Sequence, residues 1–402
     1  MIAILYILLG FTSLCLMASV FYLIYLTIVY FVVRERETYD TSLLNRFALL
    51  VPAYNEELLI SQLCESLLKI DYSHKYFDVF IIADNCTDRT AEIAGAFPVR
   101  VLVRNDPERT GKGYAIDWAL DRLEFERYDA VLIVDADNIV DSGILKELNR
   151  FIASGEEAIQ CYNSIANRSD SWLSELLFVS RTVNNLFYHH AKYKLGLSSY
   201  LTGNGICFTT GLLKTLGWKA FSIGEDWEYY AKLINNRIKV AFAKDAKVFH
   251  QESTSISQAT TQRFRWSSGR FSVLKNSGIG LFLSGIRNKD WFTVDASFPL
   301  VFPNYSLQVN MTMIGLFISL MIFSSASIFT YLFLTLLLCQ FVLFLAGAFI
   351  SGSPLRALRA LLFAPVFLVW KGVIDFLSFT GLYRTDKWIR TRRHKPDSDP
   401  KL

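Results

Sequence analysis

The sequence predicts an α/β domain built on a mixed, mainly parallel sheet and flanked by membrane helices. Three observations predict it. Residues 1–33 and 296–355 contain no Asp, Glu, Lys, Arg or His, while the stretch between them has the composition of a soluble protein. Within 47–134, short apolar runs alternate with segments of helical apolar spacing, as in βαβ units. Polar and acidic residues collect where the apolar runs end, and such sheets bind ligands beyond the carboxyl ends of their strands.

The membrane elements come from composition. The chain has 402 residues, 52% of them hydrophobic. Roughly 20 apolar residues cross a bilayer core, so residues 1–33 hold one span. A signal peptide is not indicated, because a basic start and an Ala-x-Ala site are both missing. Arg34 and Arg36 follow directly, and the positive-inside rule then predicts a multi-pass protein of the cell (inner) membrane with a cytoplasmic domain at 34–275. Residues 276–299 read as an interfacial helical region. The second charge-free stretch fits two spans within 300–350, near 300–323 and 327–350, turning at Ser324–Ser327. Residues 351–383 include a further apolar run from 360, with Lys371 and Asp375 four apart and able to pair on one helix face. Basic residues stand on both sides of this run, so it is expected to lie in the membrane plane or to re-enter, a further span being the alternative. The tail, 384–402, has seven Lys/Arg against three Asp, which equals the whole chain's net charge of +4. It suits a cytoplasmic location and contact with anionic membrane lipid. No nucleic-acid partner is expected.

The soluble elements follow in order. Phe47–Val51 reads as a strand ended by Pro52. Glu56–Ile70 has helical spacing at Leu59, Leu63, Leu67 and Ile70. Val79–Ala83 is a second strand, Thr90–Ala96 a short helix, Val99–Val103 a third strand, Tyr114–Leu123 a helix and Ala130–Val134 a fourth strand. The run 172–190 is helix-like, and 278–292 is amphipathic enough to lie on a bilayer.

The strand ends carry the chemistry. The first runs into Pro52-Ala53-Tyr54-Asn55-Glu56, the second into Asp84-Asn85-Cys86-Thr87-Asp88, the fourth into Asp135-Ala136-Asp137. Singly, Asp84 or Asp88 would serve as a helix cap and Asp137-Asn138 as a turn. Three acidic strand ends together suit a hard cation bridging carboxylates to a substrate diphosphate, as Mg²⁺ or Mn²⁺ does. Arg109-Thr110-Gly111-Lys112-Gly113 opens a helix with a cation and free backbone N–H groups, a place for an anion. It is not a P-loop, and no Gly-x-Gly-x-x-Gly turn is present, which excludes a dinucleotide oxidoreductase. The six cysteines form no Cys-x-x-Cys pair. His189, His190 and His250 lack metal-ligand spacing with an acidic partner.

Pro52-Ala53-Tyr54-Asn55-Glu56, Asp84 with Asp88, Asp135-x-Asp137, Gly224-Glu225-Asp226 and Gln262-x-x-Arg265-Trp266 occur in that order. With the flanking spans, this order resembles the membrane-embedded family-two glycosyltransferases, the group of the cellulose, hyaluronan, chitin and poly-N-acetylglucosamine synthases. The resemblance implies a GT-A-like nucleotide-diphospho-sugar transferase fold and a Mg²⁺ or Mn²⁺ cofactor. It implies that Ala53, Tyr54, Glu56 and Asp84 line the nucleoside and that Lys112 lies near the diphosphate. Asp135 would face the donor, Asp137 would bind the metal, and Gln262 and Arg265 would hold the diphosphate. Asp226 would be the general base. Gly203, Asn204, Glu225 and Trp266 would lie on the acceptor side, with Trp266 a platform for a sugar. Two departures stand out: Asn85 where many members have Asp, and Gly224 where many have Thr.

Read on chemistry alone, Glu225-Asp226 also suits a helix start and Trp266 a membrane-interface anchor. The function expected is inverting transfer of a sugar from a nucleotide-diphospho-sugar donor, UDP-linked by resemblance, onto a growing polysaccharide or other glycan. The alternatives are a single transfer to a lipid-linked acceptor or a catalytically silent nucleotide-sugar-binding scaffold. A partner subunit or homo-oligomer would help so few spans to pass a polymer.

Overall fold

The computed structural model describes residues 2–35, 43–322 and 327–383. The first helix, α1 (Ile2–Val32), is apolar throughout. The soluble domain then opens with β1 (Phe47–Ala53), α2 (Ile60–Leu68), β2 (Phe77–Asp84), α3 (Thr90–Gly95), β3 (Arg100–Arg104), α4 (Lys112–Leu120) and β4 (Ala130–Ile133). All of these match the expected order, with ends shifted by a few residues. One shift has a clear cause. β1 does not stop at Pro52, which pairs with Ile82 of β2. The ladder of β1 to β4 ends at Leu50↔Ile133, so the missing proline N–H faces the side where pairing has already ceased.

The second half adds β5 (Asn138–Val140), α5 (Ile144–Ala153), β6 (Ala158–Ile165) and α6 (Trp172–Thr182). α6 continues through a π-helical stretch, Val183–His190, into α7 (Ala191–Lys194), so the run expected at 172–190 is helical throughout. β7 (Ile206–Thr209), α8 (Thr210–Leu216), α9 (Glu225–Asn235) and β8 (Val240–His250) follow. The eight strands form one sheet in the order β3-β2-β1-β4-β7-β6-β8-β5. β1, β2, β3 and β4 pair in parallel, as do β6 and β8, while β4–β7, β6–β7 and β5–β8 are antiparallel. Alternate residues of β1 serve the two faces. Phe47, Leu49 and Val51 join the core under α2 and α5, whereas Ala48 and Leu50 join the core under α4, α8 and α9.

After β8, α10 (Ile256–Val273) leads through a π-helical turn, Leu274–Gly278, into α11 (Ile279–Arg287) and α12 (Trp291–Val301). α12 buries Ala296 and Leu300 in the core, while Ile279, Leu283, Ile286 and Trp291 stay exposed. α13 (Tyr305–Ile322) and α14 (Ile328–Ile350) come next. The expected span near 300–323 starts only at Tyr305, because Pro303 falls between α12 and α13. α1, α13 and α14 are long and apolar enough to cross a membrane. Leu9, Leu16 and Val20 of α1 pack on Phe333 and Leu336 of α14, and outward faces expose Ile7, Phe11, Phe317 and Phe349. α15 (Pro354–Leu361) and α16 (Ala364–Thr380) are bent by 64° at their break, a geometry shared by a broken span and a re-entrant loop. Lys371 and Asp375 of α16 pair as expected, and both reach Ser267 of α10. The basic tail, the turn at 324–326 and most of the linker after α1 lie outside the described residues.

Candidate active site

The strand ends β1, β2 and β4 open onto one side of the sheet, and two asparagines shape their turns. Asn55 and Asn85 both sit in the left-handed region, with φ of 55° and 52°, which asparagine tolerates better than most residues. Asn55 Oδ1 accepts from the N–H groups of Thr87 and Asp88, at 2.7 and 3.3 Å. Asn85 Oδ1 accepts from Asp106 N at 2.8 Å while its Nδ2 donates to Asp106 O at 3.2 Å. An aspartate could not make the second bond, so the departure at position 85 has a structural cause. Asp88 is a scaffold residue. Its carboxylate accepts from Thr90 N, Thr90 Oγ1 and Glu57 N, fixing the start of α3.

Asp84 is buried and meets Arg104 Nη1 at 2.5 Å. Burial raises its carboxyl above the ordinary range even though Arg104 pulls the other way. Lys112 opens α4 after Gly111, whose φ is 123°. Its Nζ lies 2.5 Å from Asp135 Oδ1 and 3.6 Å from Glu225 Oε1, and donates to Gly203 O. Burial alone would depress this ammonium, but Asp135 and Glu225 more than offset that and hold it well above its usual value. The neighbouring Gly113 is required by space: a Cβ there would come within 2.0 Å of Ala220 O.

Gly203 has a φ of 78°, and a Cβ on it would stand 3.0 Å from Asp226 Oδ2. It therefore accepts from Lys112 on one side and leaves room for the Asp226 carboxylate on the other. The resemblance puts Asn204 on the acceptor side. Its Oδ1 accepts from Asp135 N at 3.3 Å and Asn138 Nδ2 at 2.5 Å, so the side chain also props the end of β4 while it lines the cavity.

Glu225 and Asp226 begin α9, and the Asp226 carboxylate bonds backbone of that first turn, while Glu228 Oε2 accepts from Phe221 N and Ser222 N of the preceding loop. Burial raises the Glu225 carboxyl. Burial and then the Glu225 charge raise Asp226 to about 7. Gly224 explains the second departure. It packs backbone to backbone on Gly269 of α10, where a Cβ at 224 would stand 3.0 Å from the Gly269 carbonyl carbon. This contact seats the start of α9 against the helix carrying Gln262, Arg265 and Trp266. Gln262 is buried, and its Oε1 accepts no hydrogen bond from the described residues. Trp266 is 36% exposed, and its ring is met by the guanidinium groups of Arg263 at 4.5 Å and Arg181 at 5.8 Å.

One continuous cavity of about 1500 Å³ is lined by every one of the residues named above for donor, metal, base and acceptor. Tyr54, Glu56 and Asp84 stand with Asp135, Asp137, Asp226 and Trp266 in its wall. The cavity does not end at Trp266. It runs on between the membrane helices, past Tyr22 of α1, Gln308 of α13, Phe341 and Phe344 of α14 and Leu368 of α16. The site thus has a polar, acidic end at the sheet and a largely apolar end among helices, where Gln308, Gln340, Lys371 and Asp375 are among the polar exceptions.

The donor set fits a divalent cation only as a shared site. Among the described residues, three or more His, Cys, Asp or Glu nowhere converge to hold one alone. Asp135 and Asp137 offer hard oxygens at one strand end, and a diphosphate would have to complete the shell. Lys112 already engages Asp135, in keeping with Asp137 as the metal-side carboxylate. His189 meets Ser199, His190 meets Glu35, and His250, which lines the cavity, meets Asn163.

Sequence reasoning missed Arg104, Arg181, Arg263 and Gly269. Only Arg104 left a signal, an arginine at the end of β3 beside an acidic strand end.

Residues 45–269 match the family described as "Glycosyltransferase like family 2". A probable glycosyltransferase of Bacillus subtilis, YdaM, is 22% identical over 240 residues, 58% of this chain and 57% of that protein. The β-monoglucosyldiacylglycerol synthase of Nostoc is 26% identical over 231 residues, 56% of this chain and 48% of that protein. The chain spans about half the length of these curated relatives. Among solved structures, the mannosyltransferase PcManGT of Pyrobaculum calidifontis, in complex with GDP-Man and Mn²⁺, superposes with a TM-score of 0.61 at 17% identity. That alignment covers 92% of this chain and 99% of the other, and it establishes a shared GT-A-like fold. The chain belongs to the glycosyltransferase-like family 2.

Proposed function

We propose that this glycosyltransferase moves one sugar from a nucleotide-diphospho-sugar to a hydroxyl on a membrane lipid, with inversion at the anomeric carbon. The observation that carries this reading is the continuity of the cavity from the acidic strand ends into the largely apolar gap between α1, α13, α14 and α16. A lipid hydroxyl can reach the donor from there without leaving the membrane. The Nostoc relative, named for a diacylglycerol product, supports the same acceptor class. The protein would sit in the cell membrane with its catalytic domain in the cytoplasm, where nucleotide sugars are made.

Each step follows from the side chains. Tyr54, Glu56 and Asp84 receive the nucleoside, and Lys112, Gln262 and Arg265 receive the diphosphate. A Mg²⁺ or Mn²⁺ ion held by Asp137 and the diphosphate would supply Lewis-acid stabilisation of the leaving group. Asp226 takes the proton of the acceptor hydroxyl. The oxygen then attacks the anomeric carbon from the face opposite the diphosphate, and the carbon–oxygen bond to phosphate breaks with its electron pair going to the leaving group. The transition state is oxocarbenium-like. A base whose pKa is raised to about 7 is well matched to taking a proton near neutral pH. A second reading, extension of a glycan chain, is favoured by the exposed Trp266 face at the cavity wall.

The test is to incubate membranes containing the protein with radiolabelled UDP- and GDP-sugars plus Mn²⁺, then separate lipid extract from water-soluble polymer. Label in the lipid extract, absent with Asp226→Asn, is expected. Label confined to polymer would replace the lipid reading with the glycan one.

A further inference from the structure

The strongest unexplained feature is a pair of arginines in the cavity wall beside Trp266. Arg263 of α10 and Arg181 of α6 both line the cavity and both approach the Trp266 ring. One carboxylate, the buried Glu252, contacts Arg263 and acts on Arg181 only through its charge. Arg263 Nη2 lies 2.7 Å from Glu252 Oε1, and His250 Nε2 lies 3.5 Å from its other oxygen. Burial alone would raise Glu252, yet Arg263, His250 and Arg181 hold it well below the carboxylate range. Glu252 is thus ionised and balances one guanidinium. Arg181 forms no hydrogen bond or close ion pair with the described residues. Nor does it stabilise a helix end, because α6 runs on as helix through His190. An arginine in a cavity wall without its own counter-ion is costly unless an anion completes it.

Its position says what kind of anion. α6 buries Leu176 and Val179 against Phe344 and Ala348 of α14 and Ala357 and Ala360 of α15. Arg181, two positions beyond Val179, lines the same cavity as Leu176 and Phe344 and so stands near where the catalytic domain meets the membrane helices. A guanidinium pair suits a phosphate, which it can bind through several parallel hydrogen bonds. Asp226 is a separate group, suited to a neutral hydroxyl; a phosphate oxygen acting as nucleophile would need no base.

Resting on the lipid-acceptor reading above, we infer that the acceptor carries both groups: an ionised phosphate bound by Arg181 and Arg263, and a free hydroxyl presented to Asp226. Two lipid classes have this chemistry, a glycerophospholipid with a hydroxyl in its headgroup and a polyprenyl-diphosphate-linked sugar. Neutral diacylglycerol lacks the phosphate.

The experiment uses the full chain in detergent with the nucleotide sugar found active above, and three acceptors in turn: phosphatidylglycerol, a polyprenyl-diphosphate-linked N-acetylglucosamine and diacylglycerol. Transfer to one or both phosphate-bearing lipids is expected, with diacylglycerol poor. Arg181→Gln should raise the KM for that lipid about 10- to 100-fold while the KM for the nucleotide sugar, which also reports a folded donor site, stays within about twofold. Arg181→Lys should keep most of the acceptor affinity, because it keeps the charge. Diacylglycerol matching both anionic lipids in kcat/KM, or an unchanged acceptor KM in Arg181→Gln, would overturn this inference and leave the lipid reading standing. Label reaching only water-soluble polymer would overturn both.

Discussion

Replacing Asp226 by Asn separates what this carboxylate does for the reaction from what it costs the fold. Burial and Glu225 raise its pKa from the ordinary 3.8 to about 7. Because the folded value lies above the unfolded one, the folded state holds the proton more tightly, and ionising Asp226 destabilises it. The cost is absent below pH 4, grows as pH rises, and is complete above about 7. At about 1.4 kcal/mol per tenfold change in proton affinity, it reaches an upper bound of about 4 kcal/mol. An asparagine in its place would carry no charge at any pH. The variant should therefore melt several degrees above the wild type at pH 8, and the gap should narrow steadily towards pH 4. Its turnover should fall by about 10² to 10⁴, the usual contribution of a positioned base. Wild-type turnover should rise with pH through about 7. Thermal melts of the detergent-solubilised chain, followed by tryptophan fluorescence across that pH range, measure the first effect. Nucleotide release measures the second. A gap in melting temperature that does not depend on pH, or turnover retained by the variant, would refute the assignment of Asp226 as a strained, buried base.

Three further outcomes test other parts of the site. Glu225→Gln removes the charge that helps to raise Asp226, so the acid limb of the turnover profile should move to lower pH, as read from rates between pH 5 and 9. Lys112→Met leaves Asp135 and Glu225 without their shared cation, and should raise the donor KM at least about tenfold, as read from steady-state kinetics. Lys371→Met strands buried Asp375 inside α16 and should cost about 3–5 kcal/mol, whereas the Lys371→Met, Asp375→Leu double variant should recover most of it; melting temperatures of the two variants decide this.

Much of the sheet was legible because burial imposes composition. Ala130–Ile133 is covered on both faces and fully buried, so nothing but apolar side chains fits there, and the change to Asp135 marks the end of the strand. The carboxylates were legible for the complementary reason: no core accommodates several of them, so their recurrence at strand ends points to a shared cationic ligand. What stayed hidden were pairings across long separations. Arg181 and Arg263 are 82 positions apart, and each alone reads as an ordinary surface arginine on a helix. Gly224 and Gly269 read as unrelated small residues, although their contact seats α9 on α10. Nothing near Asn204 in the sequence shows that its oxygen accepts from Asp135 N and Asn138 at the end of β4.

The same distinction bears on the acceptor. Motifs record the half of the site that handles the donor, since a diphosphate leaving group needs cations to take up its charge. The acceptor half is built from whatever the added helices bring, and an apolar wall such as Phe341, Phe344 and Leu368 is indistinguishable in sequence from a wall that faces lipid or packs on a neighbour. Topology makes the difference. α10 and α6 carry polar groups at the sheet end of the cavity, and α14 and α16 extend the same cavity mainly with apolar side chains, Gln340, Lys371 and Asp375 being the polar exceptions. A polymer threading that gap would find those few partners and otherwise lose its hydration, a cost of several kcal/mol for each polar group left unpaired. A lipid tail has no polar groups to leave unpaired. The largely apolar lining of this end therefore favours the proposed lipid acceptor over a polymer.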